Sequence, residues 1–265
     1  MIPRCGAFAV IRPSNTGESA LTVLTFLLVV VAGFFAGLVG YVTGIASLIS
    51  YPALLAAGLP PVAANVTNTV AMVAVGVGST ANSGAALAKD GRKLVLWAAC
   101  SAAGGIAGAA LLLLTPADAF EIAVPFLLAA ASVSLLLQPK LRELAGDREF
   151  PRLYPLGMMA IAVYGGYFGA GVGVMFLALI LVCTSEHIWR ASILKSYLTV
   201  VANLVAAIGF ALFGPVHWLA AAAMAIGAFA GGWCGPPVVK VLPPTVVRVA
   251  VAICGVGLAA YLALT

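Results

Sequence analysis

The chain has 265 residues, 63% of them hydrophobic and only 8% charged, with a formal net charge of +5 and a mean hydropathy of +1.16. A soluble domain carries roughly a quarter charged residues and about half apolar ones, so this sequence lacks the polar surface that water demands. Soluble enzymes, nucleic-acid binders and disordered proteins are excluded, which leaves an integral membrane protein.

Residues 1–20 read as an N-terminal tail, in which Arg4 and Arg12 flank an apolar stretch too short for a signal-peptide core. Apolar segments follow at 21–40, 43–57, 62–82, 94–114 and 119–138. A charged cytoplasmic linker at 139–152 interrupts them, and they resume at 153–169, 171–183, 191–213, 216–235 and 244–264. A helix needs about 20 apolar residues to cross the hydrocarbon core, so 43–57 and 171–183 are too short to cross comfortably. Each follows a glycine-rich break, Gly37–Gly44 in the first half and Gly166–Gly173 in the second. The expectation is an all-α polytopic membrane protein of eight to ten transmembrane helices, some broken at glycine.

The breaks align without a gap at an offset of 129 residues, placing Gly37, Gly40 and Gly44 over Gly166, Gly169 and Gly173. Gly104 and Gly108 match Gly227 and Gly231 at a slightly different offset. Ordered matches of this kind predict two transmembrane repeats, 21–138 and 153–265. With five crossings per half the repeats are inverted, and the basic residues from Lys89 to Arg248 fall on or toward the cytoplasmic side, with only Arg4 and Arg12 outside. With four crossings per half they are parallel, and Lys240 and Arg248 move outside. The inverted arrangement is the expected one.

The five cysteines form no CxxC, and Cys100, Cys183, Cys234 and Cys254 read as small buried hydrophobes. His187 and His217 stand far apart in loops without a zinc signature, and no Walker loop occurs, so neither a metal nor another cofactor is expected. The four tryptophans lie near span ends and read as belt residues. All eight acidic residues sit in loops or at span ends, leaving no carboxylate for proton or sodium coupling inside the bundle. An enzyme inside the membrane would need a nucleophile–base pair or a metal triad there, and none is evident, so the protein is read as a non-enzyme.

Polar residues within apolar spans carry the functional signal. Lys195 lies four residues into the span ending at Phe213. It either snorkels to the headgroups or attracts an anion as a point charge. Asn65, Thr67 and Asn68 occupy the matching segment of the first half and either bond neighbouring helices or line a path. Ser196 and Asn203 are weaker candidates beside Lys195. Gly40, Gly44, Gly169 and Gly173 precede the short segments, where a broken helix would turn backbone N–H groups toward an anion. Gly104, Gly105, Gly108, Gly227, Gly231 and Gly232 are read as close-packing positions.

From about residue 24 to 264 the chain resembles the sulfite exporter TauE/SafE family. The similarity rests on Gly37–Gly44, on Asn65-Val66-Thr67-Asn68 as an Asn-x-Thr-Asn motif, and on Leu114-Thr115-Pro116, Pro125 and Gln138-Pro139-Lys140-Leu141. In the second half it rests on Tyr164–Gly173, Leu194-Lys195-Ser196, Asn203 and the glycine-rich span Trp218–Gly232. Two departures stand out: the first break reads Gly40-Tyr41-Val42-Thr43-Gly44 without the usual glycine run, and Ser192-Ile193 replace an Asn-Ala common before Leu-Lys. The resemblance implies movement of a small, often sulfur-containing anion across the cell membrane, and within the motif it favours Asn68. An inside-negative potential drives anion exit by about 2.3 kcal/mol per charge per 100 mV, so uncoupled or weakly coupled export is expected. The partners expected are that anion and the lipid bilayer, with a homodimer left open. A non-transporting membrane scaffold is the alternative.

Overall fold

The computed structural model describes residues 23–81, 91–143, 153–184, 186–239 and 244–264. The tail 1–20, Lys89, the linker residues 144–152 and Lys240 lie outside them. The described residues form ten helices and no strand: α1 (Val23–Thr43), α2 (Ser47–Ala56), α3 (Pro61–Ala81), α4 (Gly91–Leu114), α5 (Ala117–Glu143), α6 (Leu153–Tyr167), α7 (Val172–Cys183), α8 (Ile188–Phe213), α9 (Trp218–Val239) and α10 (Pro244–Leu264). Four are long and apolar enough to cross a membrane, over Val23–Gly40, Lys93–Leu114, Ala117–Leu137 and Trp189–Phe213. The protein is an all-α, polytopic membrane protein.

The first helix break falls later than the glycine pattern predicts, and the second falls inside it. Gly37 and Gly40 stay helical, and α1 runs on until Gly44, whose N–H still donates to Gly40 O at 2.8 Å. Gly44 then takes φ +81°, a left-handed conformation that ends the helix at little steric cost only for glycine. In the second half Gly166 is helical and the break spans Phe168–Gly171, with Gly169 at φ +79° and Gly171 at φ +80°. Gly173 belongs to the first turn of α7. Of the four glycines expected at the breaks, Gly44 and Gly169 are in them, while Gly40 and Gly173 are helical neighbours.

The short helices are the interior of the bundle. α2 has 10 residues and α7 has 12, so they extend about 15 and 18 Å, half a hydrocarbon core or slightly more. Tyr51 and Leu54 of α2 are buried, as is most of α7 from Val172 to Cys183. Long helices wrap them and turn apolar side chains outward, Phe126 at 72% and Phe213 at 78% exposure among them. That surface suits lipid, and the unpaired backbone groups at the breaks are tolerated because they are enclosed by protein.

The two halves interlock. α1 packs on α9 and α4 on α6; α9 also packs on α3 and α4 on α8. The short helices each pack between their sequence neighbours, α5 touches α7 and α10 touches α2 across the halves, and the central pairs are α3 with α8 and α5 with α10. Exchanging α1–α5 for α6–α10 leaves these pairs unchanged, whereas the lesser contacts of α6 with α8, α3 with α5, α1 with α10 and α2 with α5 have no equally strong exchanged counterpart. Glycines make the seams, and at several of them even a methyl group would collide with the opposite backbone. A Cβ on Gly227 would meet Val30 O and one on Gly231 would meet Phe34 O. Likewise, a Cβ on Gly104 would meet Met159 O and one on Gly108 would meet Val163 O. Val30 and Phe34 precede Met159 and Val163 by the offset of 129 that aligns the breaks.

Candidate functional site

The breaks meet inside the bundle. A Cβ built on Gly173 would stand 2.7 Å from the carbonyl oxygen of Gly44, so the first turn of α7 abuts the end of α1. Beside this contact lies a cavity of about 100 Å³. A water needs roughly 10–15 Å³ by this measure, so there is room for a small polyatomic solute.

Three walls define the cavity. The first is the α1–α2 break, through Gly44, Ala46 and Ser47. α2 starts at Ser47, the Ile49 and Ser50 N–H groups of its first turn bond Ala46 O at 3.0 and 3.2 Å, and its N-terminal end carries a partial positive charge. The second is the α6–α7 junction, through Gly169, Val172 and Gly173, which brings a second helix N-terminus to the same space. The third wall is formed by α3 and α8: Met72, Val75 and Gly76 are apolar, whereas Lys195, Ser196, Thr199 and Asn203 are polar.

Lys195 supplies the charge. Its ammonium rests over Gly44: a Cβ there would lie 2.7 Å from Nζ. Among the described lining residues it is the one charged side chain. Arg190, at the start of the same helix, is held by Glu186 at 3.0 Å. The Lys195 ammonium and the starts of α2 and α7 thus border one space, with no carboxylate among its described lining residues.

Of the candidates read from sequence, Lys195, Ser196, Asn203, Gly40, Gly44, Gly169 and Gly173 line this cavity. Asn65, Thr67 and Asn68 do not. All three are buried and bonded elsewhere, because the first half of α3 is roofed by neighbouring helices. Asn65 Nδ2 donates to Tyr167 O at 2.8 Å. Thr67 Oγ1 accepts the His217 backbone N–H at 3.0 Å, and His217 Nδ1 in turn accepts Ala220 N–H in the first turn of α9. Ser50 Oγ donates to Asn68 Oδ1 at 2.5 Å and stands 4.0 Å from Met72 Sδ. His217 thus has a structural place at a helix start, and Trp97 meets Tyr154 edge-on with ring centroids 5.0 Å apart. Met72, Ser47 and Thr199 are among the lining residues that sequence reading missed. Thr199 was findable, since it lies one helical turn beyond Lys195.

Comparison with known proteins agrees with this architecture. The family model described as Sulfite exporter TauE/SafE matches residues 29–262. The chain is 31% identical to the "Probable membrane transporter protein ORF9" of a Sinorhizobium species, covering 89% of this chain and 92% of that one. It is 29% identical to the "Probable membrane transporter protein YfcA" of Escherichia coli K12, over 87% and 90% of the two chains. It is also 26% identical to a "Probable membrane transporter protein" of Haemophilus influenzae, over 82% and 86%. No solved structure matches the chain. A multi-pass bundle that encloses a small solute cavity, matched almost end to end by that family model, places the chain in the sulfite exporter TauE/SafE family, as a membrane transporter of the cell membrane.

Proposed function

We propose that the cavity beside Gly44 is an anion site and that the protein exports a small, sulfur-containing anion such as sulfite, thiosulfate or an organosulfonate, driven by the membrane potential. The observation that carries this reading is the Lys195 ammonium against Gly44, where the two broken helices converge. A lysine at membrane depth costs about 2.5–3.5 kcal/mol by insertion scales, and a substrate charge would offset part of it. Half-helix N-termini aimed at anionic groups serve the same purpose in other transporter folds.

The halves are proposed as inverted repeats, a reading supported by the exchange-symmetric helix pairs and by the matching glycine seams. With the basic loops in the cytoplasm, the cavity lies in the cytoplasmic half of the bundle. It uses the later part of α3 and the earlier part of α8, and both lead to those loops. Asn65 and Asn68 share the α3 face of Met72 and Gly76 but lie deeper, so they are proposed to line the continuation of the path beyond Met72.

Counterflow of labelled sulfite into proteoliposomes tests the reading, with wild type and Lys195→Ala at matched incorporation. Uptake by wild type that Lys195→Ala reduces tenfold or more supports it. Equal uptake by the two removes the lysine from the path.

A further inference from the structure

Several helical hydroxyls in this protein hand their proton to the carbonyl four residues back, while Ser101 Oγ in α4 donates across helices to Leu198 O at 2.8 Å. Thr69 bonds Asn65 O, Ser132 bonds Leu128 O and Ser134 bonds Ala130 O. At the cavity Ser196 does the same, donating to Ser192 O at 2.9 Å, so its proton is already committed. This back-bond is the default for a hydroxyl on an apolar helix. Thr199 departs from it. Its Oγ1 is shielded and has no hydrogen-bond partner among the described residues; the Tyr51 and Tyr154 hydroxyls share that state, but of the three only Thr199 lines the cavity.

Thr199 stands one turn beyond Lys195 and one turn before Asn203, on the same stripe of α8. A buried hydroxyl without a partner is unfavourable, and such groups are rare in folded proteins unless they are used. We propose that Thr199, and not Ser196, is the hydroxyl that contacts the substrate, donating its proton to an acceptor atom of the anion whose charge Lys195 neutralises. The proposal rests on the cavity being an anion site. It makes Thr199 a specificity residue: one oriented donor favours anions with an acceptor oxygen at that position over anions of equal charge without one.

The test is thermal unfolding of the purified full-length protein, titrated separately with sulfite, thiosulfate and acetate, for wild type, Thr199→Val and Thr199→Ser. Valine keeps the shape and deletes the unpaired hydroxyl, so without anion Thr199→Val should unfold at the wild-type temperature or above it. Its half-saturating anion concentration should rise about tenfold or more, and Thr199→Ser should recover most of that loss. A lower unfolding temperature for anion-free Thr199→Val would mean that the hydroxyl is structural and would overturn the proposal. A wild-type response that Thr199→Val reproduces in full overturns it as well, leaving the anion site standing. A wild type that none of the three anions stabilises overturns the anion-site reading and this proposal together.

Discussion

The carbonyl of Gly44 packs against the Cα of Gly173, so two helix ends that are remote in sequence share one point inside the membrane. Neither residue tolerates a side chain without loss. Gly44 has φ +81°, and its missing Cβ leaves the space that the Lys195 ammonium approaches. Gly44→Ala therefore has two expected effects. The left-handed backbone would cost about 1–2 kcal/mol, and the lysine, whose end is flexible, would swing away from the cavity. Thermal unfolding should show a drop of a few degrees, and transport should fall by more than that drop explains.

The glycine seams set a separate, purely structural expectation. Gly231→Val would drive a branched side chain into the backbone of α1 at Phe34, and Gly108→Val would do the same to α6 at Val163. Overpacking of this kind costs about 1–3 kcal/mol, and here the opposing atoms are backbone that cannot rotate away. The two variants should lower the unfolding temperature by similar amounts. A large effect from one and none from the other would break the equivalence of the seams.

Ser50 and Asn68 should behave as a coupled pair. Their 2.5 Å hydrogen bond lies behind Met72 and braces the start of α2 against α3. Asn68→Leu leaves the Ser50 proton to Ala46 O, 3.2 Å away, so the loss is that of one net hydrogen bond, about 0.5–1.5 kcal/mol. A double-mutant cycle with Ser50→Ala, read by thermal unfolding, should give a coupling energy above about 0.5 kcal/mol. Additive effects would show that the bond does not hold α2.

Met72 separates the cavity from the deeper polar residues of α3. Truncation in Met72→Ala should extend the cavity toward Ser50 and Asn68 without touching the polar wall on α8. In counterflow assays the expected result is faster exchange with weakened discrimination between anions. Unchanged rates and unchanged selectivity would place the path elsewhere.

Much of this arrangement was legible in the residues. Helix limits followed from the length of apolar runs, and the two short segments identified themselves because they could not span. Lys195 was visible because a charge deep in an apolar run has few explanations. The orientation of α3 was not legible. Asn65 and Asn68 lie on the same face as Met72, and only the packing of α2 and of Tyr167 over them decides that they are roofed instead of open. Nor did the glycine count alone locate the breaks. A helix runs through glycine until a residue must adopt positive φ, and that demand comes from the tertiary path of the chain. Thr199 escaped notice for the opposite reason, since a threonine on an apolar helix is ordinary until its hydroxyl is found without the usual back-bond.

The interlocked halves also constrain how the protein is made. Gly33 and Gly37 of α1 close on Met224 and Ala228 of α9, which leave the ribosome about 200 residues later. At bacterial or eukaryotic synthesis rates that interval is roughly 10–40 s. Throughout it, α1 must wait in the bilayer with its glycine face against lipid or an insertion factor. The first half is therefore an assembly intermediate with no partner of its own, and a premature stop after residue 143 would strand it in that state.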